Sequence, residues 1–539
     1  MGPRKRRRSG GQPAAAATGA QGNEGGERDD AAQNVALKRG DRVAIDGCAR
    51  VEVLSGVVDM GGYRLSAGAQ RAGAAVSVVG ASGGAVLVEH AAAPDVPRME
   101  ADEALLRVAP DPEAREGARP PCVLRSGVQA QAPAAAAPSA WTAAVDEVLR
   151  AADAGTAPGA GAPVVVVAGP KGAGKSTFAR LLANALLSRR RGGPAAIAFL
   201  ETDVGQCEFT PPGLVALHVI EPSAPVLGLP HAHLRTWRRA AFVGDISPKA
   251  DVRAFAEAVA ALATEARNEL CGVPLLVNTG GWVTGAGLDI LTDTLRAVAP
   301  THLVALGPLA GNSRGLPRGV FWENQGSTTA PPGAPPCRVI DLPALPTPQG
   351  GGGGGSEAAD ARTAALLAYF HPPTALAAEP ASVASVAAAA TALAAHRPYA
   401  APRAALGVRF LHAEVPRAHE SAVLNGSVVA LARPWRGGGG EGAAYGAPPF
   451  ECIALAIIRS VDDASSALYV LTPAAPEALA TASTLLHGRV ELPAGAYTPP
   501  RMRAAYVLPH ALNTEGVGAA VQKSRNNIQR NSGGGGGGA

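Results

Sequence analysis

The stretch VVVVAGPKGAGKSTFARLLANALL, residues 164–187, decides the fold. Its first five residues form an apolar run of the length and composition expected for a buried strand. From position 174 onward, apolar side chains recur at helical spacing. Between the two lies GPKGAGKS, which matches the phosphate-binding pattern GxxxxGK[ST] in the strand-to-helix setting that this pattern requires. The sequence therefore predicts a strand that turns into a helix around a bound phosphate.

The glycines of this loop allow backbone N–H groups to turn inward, and the start of the helix adds partial positive charge. Lys175 is predicted to reach the β and γ phosphates of ATP, and Ser176 to bind Mg²⁺. The residues predicted to bind the nucleotide are Gly169, Pro170, Lys171, Gly172, Ala173, Gly174, Lys175, Ser176 and Thr177. Such a loop alone does not distinguish a kinase from a GTPase, an ATPase or a nucleotide-gated scaffold.

The positions of the few lysines in the chain also point to this loop. Only six of the 48 basic residues are lysines, yet Lys171 and Lys175 both fall within the loop, and a third is Lys249. A site that needs a compact ammonium group cannot accept the planar guanidinium of arginine. Lys175 is therefore a candidate catalytic residue on composition as well as on motif.

Strand-like and helix-like segments alternate around the loop. The strand-like segments AIAFLE, PLLVN, HLVAL and RVIDL alternate with helices predicted over residues 174–187, 251–269 and 288–298. This alternation predicts an α/β P-loop domain with a mostly parallel sheet covered by helices. Ligands of such sheets bind beyond the carboxyl ends of the strands.

Changes in composition divide the chain into segments. An N-terminal β-rich domain and a C-terminal β-rich α+β domain, with a helix over residues 477–486, are expected to flank the P-loop domain. The predicted segments are a disordered basic tail (1–33), the N-terminal domain (34–125), a linker (126–138), the P-loop domain (139–401) with a glycine-rich insertion (346–357), the C-terminal domain (402–530) and a disordered tail (531–539).

Composition also limits the compartment and the partners. A formal net charge of +4 over 539 residues is too small for a chain-wide electrostatic attraction to nucleic acid, so nucleic-acid contacts should be local. Six dispersed cysteines without a CxxC pair argue against a zinc site or a disulfide framework. No secretory signal or membrane-spanning run is apparent, so no membrane partner is expected. The basic block RKRRR, residues 4–8, fits a nuclear-import signal, a nucleic-acid-binding arm or a solvated tail.

An acidic residue follows the second strand of the P-loop domain. In AIAFLETDVGQCEFTPPG, Asp203 lies just past the carboxyl end of that strand, on the side where a γ-phosphate would lie. Its carboxylate could bind Mg²⁺ through water or accept the proton of an attacking hydroxyl. An isolated aspartate at a strand end also commonly serves as a turn or cap residue.

The longer motifs resemble those of the polynucleotide 5′-hydroxyl kinase family. The motifs are LETDVGQCEFTPPG (200–213), GDISPKAD (244–251), NTGGWVTGAGLD (278–289) and PTHLVAL (300–306), with LNGSVVALA, LYVLTP, LHGRVELP and KSRNNIQR in the C-terminal region. Within the family, they are most similar to the nucleolar branch that acts in pre-ribosomal RNA processing, rather than to the branch in the pre-mRNA 3′-end cleavage factor.

The resemblance implies ATP-dependent transfer of the γ-phosphoryl group to 5′-hydroxyl ends of RNA, with DNA as an alternative substrate. It implies a nuclear and nucleolar location beside an endoribonuclease of the spacer-cleavage complex. Asp203 matches the acidic residue that orients nucleophile and metal, Gln206 and Thr210 fall in the segment lining the substrate entrance, and Trp282 matches an element that pins phosphates and nucleic acid. A tryptophan in a glycine-rich loop is otherwise usually packed.

The family also places one or two arginines on a lid over the transferred group. Here the expected place, after RVIDLPAL, holds the glycine tract followed by ADARTAALLAYF, so Arg362 is the candidate catalytic arginine. Arg314 and Arg318 are alternatives on an earlier loop. Arg362 could equally be an exposed residue in the first turn of a helix.

Two functions from other classes stay open on the sequence. A scaffold that binds a nucleotide without turnover is favoured by the altered lid and opposed by intact Lys175, Ser176 and Asp203. A small-molecule kinase explains the loop but not the flanking β-rich domains. The segment HAHLRTWRR, residues 231–239, could contact RNA, with Trp237 stacking on a base, or could be a solvated loop or a partner surface.

Overall fold

A computed structural model of the chain contains three β-sheets, which follow one another in sequence. The structure describes residues 32–67, 76–80, 86–90, 103–110, 122–125, 138–155, 161–191, 195–227, 234, 236–309, 337–345, 356–371, 383–436 and 448–492. In this part of the chain no helix is both long and apolar enough to cross a membrane.

The N-terminal sheet has eight antiparallel strands. They are β1 Gln33–Lys38, β2 Arg42–Ser55, β3 Val57–Met60, β4 Tyr63–Ser66, β5 Val76–Gly80, β6 Val86–His90, β7 Glu103–Pro110 and β8 Cys122–Arg125. The order is β1-β7-β2-β6-β3-β4, and β5 and β8 also pair with the long strand β2. Burial alternates along β1, where Val35 and Leu37 face the core, as expected for a sheet with one covered face.

The central sheet is the predicted α/β P-loop sheet. Its strands are β9 Val164–Ala168, β10 Ile197–Glu201, β11 Leu214–Ile220, β12 Arg239–Phe242, β13 Leu275–Asn278, β14 His302–Leu306 and β15 Arg338–Leu342. The strand order is β12-β11-β10-β13-β9-β14-β15. The five strands from β10 to β15 in this order pair in parallel, which confirms the predicted fold class, and β11 and β12 add an antiparallel edge.

Helices cover both faces of the central sheet. They are α1 Ser139–Ala154, α2 Lys175–Ser188, α3 Val252–Glu269 and α4 Ala286–Val298. Helices α1 and α2 share one apolar core with the N-terminal sheet, whereas α3 and α4 pack on the opposite face. The N-terminal sheet also hydrogen-bonds to α2, because Asn184 Nδ2 donates to the carbonyl of Gly61 at 2.9 Å. The helix that begins at the phosphate-binding loop is thus held from both sides.

The described residues of the C-terminal region form the third sheet and four further α-helices. The elements are α5 Ser356–Phe370, α6 Val383–Ala395, β16 Tyr399–Pro402, β17 Gly407–Phe410, α7 Glu420–Leu424, β18 Ser427–Pro434, β19 Phe450–Asp462, β20 Ala467–Leu471, α8 Pro476–Leu479 and β21 Thr484–His487. The sheet order is β16-β20-β19-β18-β21-β17. Because β16 pairs with β20, this sheet begins at Tyr399, slightly before the proposed boundary at residue 402.

The prediction of a helix over residues 477–486 is wrong. Only the single turn α8 is helical, and the second half of the segment forms strand β21. Residues of β21 pair with β17 on one side and with β18 on the other. The apolar pair Leu485 and Leu486 is thereby buried between neighbouring strands, so sheet pairing overrides a local pattern that also fits a helix.

Part of the segment HAHLRTWRR lies in the contact between the central and C-terminal sheets. Trp237 Nε1 donates to the carbonyl of Cys452 at 3.1 Å, and the Trp237 ring stacks on Tyr369. Arg239 forms ion pairs with Glu265 and Glu451. These two side chains hold the domains together, so the suggestion that Trp237 stacks on a base is not supported. Residues 231–233 and 235 lie outside the described residues.

A second contact between these domains is made by two glycines. A Cβ atom on Gly488 would lie 2.3 Å from the carbonyl oxygen of Gly244, a separation that real Cβ atoms do not show. Gly244 has a φ of 75°, in the left-handed region that favours glycine. The backbone of Arg489 donates to the Gly244 carbonyl. The C-terminal sheet therefore fixes the start of the loop that carries residues 245–251.

We expect Gly488→Ala to destabilise the protein by roughly 1–3 kcal/mol, because the added methyl group meets backbone that cannot move aside. Thermal unfolding followed by circular dichroism measures the change. Gly407→Ala in the neighbouring strand is the matched control, since the nearest atom to its Cβ would be 3.6 Å away. Equal melting temperatures for the two variants would contradict the proposed close contact.

Candidate active site at the carboxyl edge of the central sheet

Three neighbouring strands of the central sheet end at the same level. In the parallel register, Glu201 of β10 lies beside Asn278 of β13, and Asn278 lies beside Val167 of β9. The phosphate-binding loop, the Asp203 loop and the loop carrying Trp282 therefore leave the sheet side by side. Since adjacent strands are roughly 4.8 Å apart, β9 and β10 are separated by about 10 Å, which is the scale of a triphosphate.

The phosphate-binding loop is shaped by close packing that only glycine permits. A Cβ on Gly169 would lie 2.4 Å from the carbonyl oxygen of Leu306 in β14, and one on Gly174 would lie 2.9 Å from the Trp141 ring. Gly172 and Gly174 have φ values of 79° and 96°. The Leu345 amide also donates to the carbonyl of Ala173 at 3.1 Å. The neighbouring elements therefore hold this loop in one conformation.

Lys175 begins α2, and its side chain is only 8% exposed. Its Nζ donates to the carbonyl of Pro170 at 3.0 Å, across the concave side of the loop. Burial lowers the pKa of the Lys175 ammonium, and the negative charge of Asp203 partly opposes this shift. A single backbone carbonyl is a weak partner for a buried ammonium, so an anion entering the loop would gain a strong contact with Lys175.

The first turn of α2 supplies further groups to the same loop. Ser176 is half-buried and Thr177 is exposed, while Lys171 is exposed on the loop itself. The first turn contains no acidic side chain that would compete with an anion for the helix terminus. The loop therefore fits a polyphosphate, because it combines glycines of positive φ, a helix start and an ammonium group.

Asp203 is the second residue after β10 and is half-buried. Its Oδ1 accepts hydrogen bonds from the amides of Gly205 and Gln206, both at 3.0 Å. The negative charge of Asp203 acts on Lys175, because it raises the pKa of that ammonium. Asp203 therefore has the turn geometry that the sequence offered as an alternative, and its role beside the phosphates stays a prediction.

The structure adds Glu201, which the motif analysis did not single out. Its side chain is fully buried, and its carboxylate accepts from the amides of Asp203 and Glu208 at 2.9 and 2.8 Å. Asn278 Nδ2 donates to the same carboxylate at 3.1 Å. Burial and the neighbouring charge of Asp203 raise the pKa of Glu201, while the two amide hydrogen bonds oppose this shift. Glu201 thereby joins both ends of the Asp203 loop to β13.

The two residues predicted to line the substrate entrance have different environments. Gln206 is exposed at the tip of the loop, where it is accessible to a ligand. Thr210 is fully buried, so its side chain does not line an entrance, contrary to the prediction. The loop turns back into the core after Gln206, because Phe209 packs edge-on against Phe199 inside the apolar cluster.

Trp282 borders a cavity of about 230 Å³ beside Asp203. The indole is partly buried against the core that contains α3 and α4, as expected for a packed tryptophan. One face of the ring is approached by the ammonium of Lys249, 4.3 Å from the ring centroid. A Cβ on Gly281 would lie 2.8 Å from the backbone of Lys171, so this cavity directly adjoins the phosphate-binding loop.

The candidate lid arginine lies on helix α5. Arg362 is a half-buried residue seven positions into α5, so it does not belong to the first turn of a helix. Buried residues of α5 join a core shared with the C-terminal sheet and with β11 and β12. The assignment of Arg362 as the lid arginine stays a prediction. Arg314 and Arg318 lie outside the described residues.

The donor set at this edge fits Mg²⁺ held mainly by a nucleotide. Among the described residues, no three His, Cys, Asp or Glu side chains converge on a metal position. Mg²⁺ in nucleotide sites commonly takes one or two protein oxygens, with phosphates and water completing the shell. The Ser176 hydroxyl and the Asp203 carboxylate are the residues that would supply them.

The fold and the site together define a P-loop nucleotide-binding protein with an acidic residue and a ligand cavity next to the phosphate position. Comparison with known proteins agrees with this class. The family model described as mRNA cleavage and polyadenylation factor CLP1 P-loop matches residues 169–319. A second model, described as NOL9-like, C-terminal domain, matches residues 394–493.

Several curated proteins are similar to this chain. A polynucleotide 5′-hydroxyl-kinase NOL9 of Arabidopsis thaliana is 31% identical over 343 residues, covering 61% of this chain and 86% of that protein. The NOL9 kinase of Danio rerio is 29% identical over 348 residues, covering 61% of this chain but only 46% of the fish protein. The NOL9 kinase of Homo sapiens is 40% identical over 144 residues, covering 27% of this chain and 19% of the human protein.

A solved Clp1p chain, described in its interface with Pcf11p, has a TM-score of 0.52 at 13% identity and covers 86% of this chain and 99% of that chain. At this identity the likeness concerns the fold alone. The match to the plant protein extends over most of that relative. The chain therefore belongs to the NOL9 family of polynucleotide 5′-hydroxyl kinases, which confirms the resemblance seen in the motifs.

We expect Glu201→Gln to destabilise the protein by about 1–3 kcal/mol, because a glutamine amide offers one acceptor oxygen to three N–H donors and leaves a buried donor unpaired. Thermal unfolding measures the effect. Glu147→Gln, which alters a surface ion pair with Arg338, should stay within about 0.5 kcal/mol of the parent protein. Unchanged melting of Glu201→Gln would show that the carboxylate does not hold the Asp203 loop.

Proposed function

We propose that this chain transfers the γ-phosphoryl group of ATP to the 5′-hydroxyl end of a polynucleotide. The observation that carries the proposal is the common level at which β9, β13 and β10 end. It places a phosphate-binding loop, an acidic side chain and a cavity bordered by tryptophan next to one another. Membership of the polynucleotide 5′-hydroxyl-kinase family supports the same reaction.

Each group has a role that follows from its position. Backbone donors of residues 169–174 and the Lys175 ammonium bind the phosphates, and Lys175 offsets charge that develops on the transferred group. Asp203, whose charge acts on Lys175, orients the attacking hydroxyl and accepts its proton. The bond between the γ-phosphorus and the bridging oxygen breaks to leave ADP, and a new bond forms to the 5′ oxygen.

Mg²⁺ bound by Ser176 and Asp203 would neutralise phosphate charge and align the leaving group. The remaining work is done by positioning, which is the main requirement of phosphoryl transfer. Trp282 lines the cavity beside Asp203, and Gln206 is exposed on the Asp203 loop, so these two residues are proposed to meet the polynucleotide end.

We propose RNA as the substrate, with DNA as an alternative, and pre-ribosomal RNA spacer processing in the nucleus and nucleolus as the setting. The reaction needs a partner that produces 5′-hydroxyl ends, and an endoribonuclease of the spacer-cleavage complex has that chemistry. The motifs shared with the nucleolar branch of the family support this placement. The basic segments at residues 4–8 and 523–530, which could assist it, lie outside the described residues.

A nucleotide-binding scaffold without turnover is the second candidate function. The observation that favours it is the placement of Arg362 on α5, a helix whose buried residues pack against the C-terminal sheet and against β11 and β12. Removal of such an arginine lowers phosphoryl-transfer rates by several orders of magnitude in related P-loop enzymes. The scaffold would bind ATP at the same loop but leave the polynucleotide end unmodified.

Transfer from γ-labelled ATP to matched RNAs with a 5′-hydroxyl or a 5′-phosphate tests the proposal. We expect label on the 5′-hydroxyl RNA alone. Lys175→Ala should lower the transfer rate at least about 100-fold and should also weaken ATP binding, because it removes a phosphate-binding charge. Asp203→Asn should lower the transfer rate by a similar factor. It should leave ATP affinity unchanged, because the asparagine oxygen can still accept the hydrogen bonds of the turn.

The controls separate the two candidate functions. ATP binding by the unaltered protein without labelling of either RNA would favour the scaffold. Labelling of both RNAs would contradict transfer to the 5′-hydroxyl. If Asp203→Asn and Lys175→Ala lost ATP affinity equally, Asp203 would be a structural residue of the loop rather than a group that acts on the hydroxyl.

A further inference from the structure

The cavity beside Asp203 has one cationic side chain among its described lining residues. That residue is Lys249, and the other polar groups are the Asp203 carboxylate and the hydroxyls of Thr202, Ser247, Thr279 and Thr294. Lys171 and Lys175 belong to the phosphate-binding loop and would be engaged by ATP. A polyanion that enters the cavity therefore meets a single counter-charge outside the nucleotide site, and that charge is Lys249.

The backbone of Lys249 is fixed while its side chain is exposed. Lys249 lies in a short turn, Pro248–Ala250, between two aspartates that both hydrogen-bond to backbone. Asp245 accepts from the amide of Ser247 at 3.0 Å, and Asp251 accepts from the amide of Ala254 at 2.9 Å, where it caps α3. The ammonium group can therefore change position without a change in the loop.

The Lys249 ammonium lies over the Trp282 ring, 4.3 Å from its centroid. A cation–π contact at an exposed position is weak, whereas stacking of a nucleobase on an aromatic side chain is stronger. A base that stacks on this face of Trp282 would therefore displace the ammonium. The displaced group would stay within the reach of a lysine side chain from the same base.

One cavity connects Asp203 with Lys249. The 5′-hydroxyl must lie beside Asp203 at the phosphate-binding loop, and the cavity of about 230 Å³ extends from Asp203 to Lys249. The first internucleotide phosphates of the substrate would follow its 5′-terminal nucleoside along that cavity. A flexible ammonium suits a phosphate whose position changes between substrate and product, because it binds as a point charge without a fixed fork geometry.

We propose that Lys249 is a substrate-binding residue that leaves the face of Trp282 when the polynucleotide end enters and then pairs with one of the first two internucleotide phosphates. This inference rests on the proposed function, since it concerns the acceptor of the same site. It explains why the chain keeps one of its few lysines at this position. It also gives the site a requirement for a polynucleotide rather than a free nucleoside.

Binding of fluorescent single-stranded oligonucleotides, measured by anisotropy without ATP, tests this role. We expect Lys249→Gln to weaken binding about threefold to tenfold and to reduce the slope of log affinity against log salt by about 0.7, the value for one phosphate contact on a single strand. Lys249→Arg should keep most of the slope. Lys38→Gln, an exposed lysine in the N-terminal domain, controls for the change in net charge.

A second series places an uncharged methylphosphonate at single linkages counted from the 5′ end. For the unaltered protein, replacement at one of the first two linkages should weaken binding by the same factor as Lys249→Gln. For Lys249→Gln, that replacement should have no further effect. An equal loss in both proteins at every linkage, or an unchanged salt slope for Lys249→Gln, would overturn the proposal.

The experiments distinguish a failure of the proposed Lys249 contact from a failure of the proposed kinase function. Phosphorylation of a 5′-hydroxyl RNA with equal kcat/KM and equal salt slope for the parent and Lys249→Gln would refute the role of Lys249 alone. Oligonucleotide binding that depends on Lys249, without any phosphoryl transfer, would refute the kinase while keeping the contact. Melting temperatures of the variants should match that of the parent, because Lys249 is exposed.

Discussion

A buried hydrogen bond between Asn278 and Glu201 joins the ends of two parallel strands at the centre of the site. On the other side of β13, the hydroxyl of Thr279 donates to the carbonyl of Val167 at 2.8 Å and joins β13 to β9. Polar groups buried at this depth lose their interactions with water and must be paired within the protein. These hydrogen bonds keep the ends of β9, β13 and β10 aligned. The relative positions of the phosphate-binding loop, Asp203 and Trp282 depend on this alignment.

The outer domains support the same edge from both sides. The N-terminal sheet packs against α2 through Asn184, so the helix behind Lys175 is held away from solvent. The C-terminal sheet meets the central domain at Gly244 and Gly488, and Arg489 lies 3.4 Å from the Asp245 carboxylate. Asp245 starts the loop that carries Lys249. Contacts far from the nucleotide thus fix the loop on the acceptor side of the site.

The sequence predicts the site best where chemistry restricts residue type and spacing. The phosphate-binding loop, the following helix and the position of Asp203 at a strand end all follow from local patterns. Local patterns do not identify Glu201 as a site residue. Its role depends on a hydrogen bond with Asn278 of the neighbouring strand, which lies 77 residues away in the sequence. The same limit applies to Lys249 and Trp282, whose contact joins two loops, and to β21, whose pairing with β17 and β18 replaces a predicted helix.

Burial also separates residues that the sequence groups together. Gln206 and Thr210 are four residues apart in one motif, yet one is exposed and the other fully buried. Trp237 lies in a basic segment typical of nucleic-acid contact, yet it packs between domains. In both cases the deciding factor is long-range packing. Local composition therefore predicts the kind of residue available, and the fold determines whether a ligand can reach it.

The central claim is that the ATP phosphates and the polynucleotide end occupy adjoining parts of one edge. The most direct measurement is the affinity of a bisubstrate ligand in which a polyphosphate bridge joins adenosine to the 5′ end of a short oligonucleotide. The account predicts binding much tighter than that of ATP or the oligonucleotide alone, weakened by Lys175→Ala and also by Trp282→Leu. Affinity no better than that of ATP, and insensitive to Trp282→Leu, would contradict it.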